Sequence, residues 1–111
     1  MGHELNDAIS LEIGRRVAAR LREQPGLLQI AQNNLARWLR QNAEAPGLVR
    51  CYREWQAILE RPLGDICQIL ETAGEENSRL RQNSPFAGVL SPEEIWSIKA
   101  GIRQRHDKTT A

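Results

Sequence analysis

Histidine is almost absent from this chain: two are present, His3 and His106, both near the ends. The body of the fold therefore has no imidazole to act as a general base or to ligate a metal. Cysteine is equally scarce. Cys51 and Cys67 stand sixteen residues apart, without the close pairing of a zinc site or a redox motif, and small core residues are the simpler account of both. No glycine-rich phosphate loop, no serine in a nucleophile elbow and no Glu-x-x-His metal pair occurs. No apolar run approaches the ~20 residues of a membrane span, and the N-terminus carries no signal-peptide core. These absences lead us to expect no catalytic residue, no metal and no cofactor in a cytoplasmic protein with reduced thiols. Glu54, Glu60, Asp65 and Glu71 read as a solvated face. A helical enzyme built only from carboxylates and arginines is the alternative.

Strand-like alternation is missing too, and what takes its place is helical periodicity punctuated by proline. Four of the five prolines, Pro25, Pro46, Pro62 and Pro92, stand where a helix would start. Leu5, Ile9, Ile13, Val17 and Leu21 recur every four residues and predict a helix over about residues 5–23. Leu28, Ala31, Leu35 and Trp38 mark a second, to about residue 42, with Leu27, Ile30 and Leu39 widening its face. Leu48, Tyr52, Trp55 and Leu59 mark a third. Leu63, Ile66, Cys67 and Leu70 mark a fourth that weakens at Gly74. A short polar helix turn follows around Leu80, and the last helix runs from Pro92 to about residue 105 on Ile95, Ile98 and Ile102. The expected class is all-α, a compact single-domain bundle of five to six helices over residues 1–105, with residues 106–111 a disordered tail.

The most specific stretch is Asn83-Ser84-Pro85-Phe86-Ala87-Gly88-Val89-Leu90-Ser91-Pro92-Glu93-Glu94-Ile95-Trp96. Ser91 is a good N-cap, Pro92 suits N1, and Glu94 at N3 has the spacing to close a capping box. Leu90 and Ile95 are spaced as a hydrophobic staple. Gly88 can take the positive φ that a tight reversal requires. The loop is therefore expected to be ordered. Phe86 and Val89 have two readings: a plug at the end of the helical core, or an apolar anchor offered to a partner.

Charge is nearly balanced at +1, but it is polarised along the chain. Residues 13–42 hold Arg15, Arg16, Arg20, Arg22, Arg37 and Arg40 against Glu23 alone, whereas residues 43–76 hold three arginines against seven acids. Either the two segments pair internally, or the arginines grip carboxylate or phosphate on a partner. Thirteen arginines to two lysines fits the second account and equally fits a GC-rich genome. A helix-turn-helix over Ile30–Trp38 is weakly suggested, but no break interrupts that helix before Asn42. Trp38, Trp55 and Trp96 each occupy an apolar position on a different helix, and three rings converging in one core is the expected arrangement.

The Arg79-Leu80-Arg81-Gln82 run, the Ser84-Pro85-Phe86-Ala87-Gly88-Val89-Leu90-Ser91-Pro92-Glu93-Glu94 run and Trp96 resemble the C-terminal pattern of a family of small, uncharacterised bacterial proteins. Leu35-Ala36-Arg37-Trp38-Leu39, and Glu54-Trp55 through Arg61-Pro62-Leu63, resemble its middle section. The resemblance implies association with toxin–antitoxin-like gene pairs and assigns no catalytic residue. The function expected is therefore a non-enzymatic protein-binding module, the antitoxin-like partner of a toxin encoded next to it. Arg15, Arg16, Arg20, Arg37 and Arg40 would supply the basic face, and Phe86 and Val89 the anchor. The alternative is a small DNA- or RNA-binding regulator using the arginines of the first two helices. No membrane partner is expected.

Overall fold

The computed structural model describes the backbone of residues 2–110 and the side chains of residues 4–106. Six α-helices follow one another: α1 (Gly2–Glu23), α2 (Leu28–Gln41), α3 (Pro46–Ile58), α4 (Leu63–Glu71), α5 (Glu75–Arg81) and α6 (Pro92–Thr110), with a 3-10 turn at Pro25–Leu27. There is no strand among the described residues. The expected all-α bundle is the observed class. The prolines act as the sequence implies, opening the 3-10 turn, α3 and α6 and standing just before α4.

The α1 stripe is the spine of the core. Ile9, Val17 and Leu21 are buried, as is Ala18 beside them, and Leu5 and Ile13 pack against the same cluster. From this spine α1 packs on α4, α5 and α6, while α2 packs on α3. One continuous apolar cluster draws side chains from all six helices and from the loop before α6.

The closest approach is between α1 and α4. A Cβ placed on Gly14 would lie 1.9 Å from the carbonyl oxygen of Leu70, so only a glycine lets the two backbones meet there. The carbonyls at the end of α4 need partners, as every helix C-terminus does. Arg81 supplies them from α5: its Nη1 donates to the carbonyls of Ile69 at 3.0 Å and Thr72 at 2.9 Å. Its Nε donates to Ser10 Oγ on α1 at 3.1 Å. One buried guanidinium thus ties three helices together.

Two boundaries differ from the sequence expectation. The backbone is helical through Thr110, so α6 continues past residue 105 where a disordered tail was expected; residue 111 lies outside the described residues. The capping box is half formed. Ser91 Oγ accepts the Glu94 N–H at 3.1 Å, but the Glu94 carboxylate does not return to Ser91. It accepts from Arg20 Nη2 of α1 at 2.6 Å instead, because a charge-assisted bond outcompetes a neutral one.

Candidate binding site

The loop between α5 and α6 is held by α2 and α3. Asn34, buried on α2, donates through Nδ2 to the carbonyls of Pro85 at 2.8 Å and Ala87 at 2.9 Å. Arg37 Nη2 donates to Asn34 Oδ1 at 2.7 Å and so fixes the amide's orientation. Trp55 Nε1 donates to the Leu80 carbonyl at 2.8 Å, and the Trp55 ring meets Phe86 edge-on with centroids 5.8 Å apart. The loop reverses over Phe86–Val89, where the Val89 N–H reaches the Phe86 carbonyl at 3.1 Å. Gly88, third in that turn, has φ +98°, a conformation that glycine adopts without strain.

Phe86 is 4% exposed and Val89 is buried with it. Of the two readings, the plug is the one that the geometry fits, and the anchor expectation is corrected: an anchor must be reachable, and these rings and methyls are already spent on the core. Of the three tryptophans expected in the core, one departs from that expectation. Trp55 is fully buried, and Trp38 is half-buried against Tyr52 at 5.5 Å. Trp96, however, is 71% exposed. Ile95, Ile98 and Ile102 occupy the inner side of α6, and a residue next to Ile95 is turned about 100° away from it.

The arginine face divides. Arg15 and Arg16 both pair with Glu12, at 3.7 and 3.1 Å. Arg20 is held by Glu94, and Arg22 forms a two-pronged pair with Glu71 at 2.7 and 2.6 Å. Hydrogen bonding from Arg22 keeps the Glu71 carboxyl below the usual carboxylate range. Arg37 is turned to Asn34. Of the arginines in this segment, only Arg40 is an exposed cation with no hydrogen bond or ion pair to a described residue. A third cross-helix pair, Arg79 of α5 with Glu54 of α3 at 2.9 and 3.1 Å, also takes in Glu76. Among the described residues only Arg22–Glu71 joins the two oppositely charged segments; Arg15, Arg16 and Arg20 pair with Glu12 and Glu94, which lie outside the acidic segment, and α1 and α2 do not present the five arginines as one open surface.

An open basic and aromatic row lies elsewhere. Trp96, Lys99 and Arg103 follow at three- and four-residue spacing along α6 and are all exposed. Neither Lys99 nor Arg103 makes an ion pair with a described residue. Sequence reasoning passed over this row because it treated each tryptophan as core. The signal was present: the isoleucines of α6 already complete its buried side, leaving no place there for Trp96.

A second feature is a groove of about 610 Å³ between α1, α5, the loop and the start of α6. Ile9, Ile13, Val17, Phe86, Leu90 and Ile95 supply most of its apolar wall. Arg81, 7% exposed, stands in that wall, and burial lowers its guanidinium below the ordinary arginine value. Cys67 takes no part. Its thiol is buried under α1 with Sγ 3.7 Å from the Ala18 carbonyl, and burial pushes it up from its ordinary value. Among the described residues no group of three or more His, Cys, Asp or Glu side chains gathers closely enough to hold a metal ion. No helix among them is long and apolar enough to cross a membrane.

No family model matches the chain, and no curated protein or solved structure is significantly similar to it. The family resemblance drawn from residues 35–39, 54–63 and 79–96 gains no support from these comparisons.

Proposed function

We propose that this protein is a non-enzymatic protein-binding module acting in the cytoplasm as the antitoxin-like member of a bacterial two-gene system, and that Trp96 is its anchor. The observation that carries the proposal is the exposed row Trp96, Lys99 and Arg103 on α6. An indole left in water on a helix whose opposite side is buried contributes nothing to the core, whereas buried in a partner it is the commonest kind of interface anchor. Two exposed cations on the same row, neither of them ion-paired to a described residue, fit an acidic partner surface with an apolar pocket. Charge would steer the encounter and the indole would supply the lasting affinity. This keeps the mechanism inferred from sequence and moves its residues from Phe86, Val89 and the α1 arginines to α6.

The regulator alternative has less behind it. Arg15, Arg16, Arg20 and Arg22 already face carboxylates, and α2 is one uninterrupted helix across residues 30–38, where a helix-turn-helix would need a break.

The test is co-expression with the product of the neighbouring gene, followed by co-purification. The wild-type chain should relieve the growth arrest that product causes and should co-purify with it. A variant carrying Trp96→Ala, Lys99→Glu and Arg103→Glu should do neither while folding normally. Relief by the variant equal to wild type would remove α6 from the interface. Failure of the wild-type chain to relieve arrest would end the antitoxin proposal.

A further inference from the structure

The groove against α1 is built as a ligand site. It is distinct from the exposed α6 row: its walls come from α1, α5, the loop, Leu70 of α4 and Ile95 on the inner side of α6, and neither Trp96 nor Lys99 lines it. Its volume lies within the range of small-molecule sites, which are mostly apolar with a few converging polar groups. The polar group of interest is Arg81. Nε and Nη1 are committed to Ser10, Ile69 and Thr72. Nη2 donates to no described residue, and no buried side-chain nitrogen or oxygen is left without a partner, so Nη2 is reached by solvent. Ser10 Oγ accepts from Arg81, which leaves its own O–H free to donate from the same wall. Ser10 and Arg81 thus both line the apolar slot, and Arg81 carries its positive charge in a largely desolvated position, where a charge-assisted bond is strongest.

The chemistry of these donors narrows the ligand. A dianion such as a phosphate monoester calls for several donors or cations, and here a single guanidinium nitrogen is uncommitted. Asp7 also lines the groove, exposed and accepting from the Ser78 hydroxyl at 2.9 Å. Its negative charge weighs against any anion in the groove and about twice as heavily against a dianion as against a monoanion. An uncharged ligand would leave the Arg81 nitrogen unpaired at the wall. We propose that the groove binds a small amphipathic monocarboxylate, its apolar body along the half-buried Ile13 and Ile95, over a floor formed by the packed Ile9, Phe86 and Leu90, and its carboxylate on Arg81 Nη2 and the Ser10 hydroxyl.

The probes are octanoate, 1-octanol and octylammonium, titrated into the full chain by calorimetry, with amide chemical shifts recorded in parallel. Octanoate should bind at one saturable site, with shifts centred on Ile13, Arg81, Phe86 and Leu90. Octanol should bind about tenfold more weakly, the loss expected for one hydrogen bond to a charged group, and octylammonium weaker still. Arg81→Met removes the cation but also uncaps α4. Ala87→Glu is therefore the companion variant: Ala87 is exposed and lines the groove, so a carboxylate there should weaken octanoate about tenfold with no loss of thermal stability. Trp96→Ala should leave octanoate binding unchanged. Equal affinity for octanoate and octanol would overturn the assignment to Arg81. Shifts confined to other surfaces, or no saturable binding at millimolar octanoate, would overturn the site. So would a groove whose resonances respond to a partner protein and not to octanoate.

Discussion

Phe86 and Trp96 belong to one stretch of sequence and have opposite surroundings. Phe86 lies against Trp55 inside the bundle, in a loop whose carbonyls are gripped by Asn34. Trp96 stands in water one turn into the helix that this loop introduces. The loop is irregular and yet serves as a packing element, whereas the regular helix carries the exposed ring. Regularity of backbone and commitment to the core are therefore separate properties in this fold. The inner region stores stability, and the outer row of α6 is available for something else.

Substitutions on the inner side should all cost stability, and their ranking tests how that region is built. The largest effect is expected for Gly14→Ala. Alanine improves helix propensity by about 1 kcal/mol, but the new methyl would meet the Leu70 carbonyl, a backbone atom, at 1.9 Å. Separating α1 from α4 should cost about 4 kcal/mol or more, or prevent folding, as measured by urea denaturation. Phe86→Ala should follow at about 3–5 kcal/mol through a cavity beside Trp55, and the Trp55 fluorescence should change with it. Asn34→Ala should cost about 2 kcal/mol, because the Pro85 and Ala87 carbonyls lose their donor, and should raise amide exchange across residues 84–90. A loss from Asn34→Ala as small as that of an exposed site would mean that the loop is held by its apolar side chains alone.

The smallest effect is electrostatic. Hydrogen bonds from Arg22 depress the Glu71 carboxyl below its unfolded value, and the shorter arm is 2.6 Å. A depressed acid adds stability above its unfolded pKa of about 4.3 and loses it as pH falls through the lower folded value. Between pH 6 and pH 3 the melting temperature should fall, and in Arg22→Gln it should fall by less. The difference should be at most a few degrees, since both groups are largely exposed. An identical pH dependence in the two proteins would remove this pair from the stabilising set.

The helices were legible because their signals are local: isoleucine or leucine at helical spacing identifies α1, α2, α3, α4 and α6, and proline marks the approach to or the start of the last four of these. The turn at Gly88 and the Ser91 cap were legible for the same reason. Three kinds of feature were not. Gly14 looks like a weak point in a helix until α4 is placed against it. Arg81 looks like one more surface arginine until the end of α4 is found to lack a cap. The charge polarity suggested an open basic face, but whether an arginine is free depends on which carboxylate folds next to it, as Glu94 does for Arg20 and Glu71 for Arg22. Each depends on contacts between residues far apart in the chain, which periodicity does not encode.

The inner and outer regions are separated most directly by one paired measurement on Trp96→Ala and Phe86→Ala: thermal stability and partner capture from the native host at moderate salt after nuclease treatment. Trp96→Ala should keep its melting temperature to within a few degrees and lose the partner, while Phe86→Ala should lose stability first and capture the partner at temperatures where it is still folded. A Trp96→Ala protein that melts early, or that retains its partner in full, would contradict the assignment of α6 as the binding face.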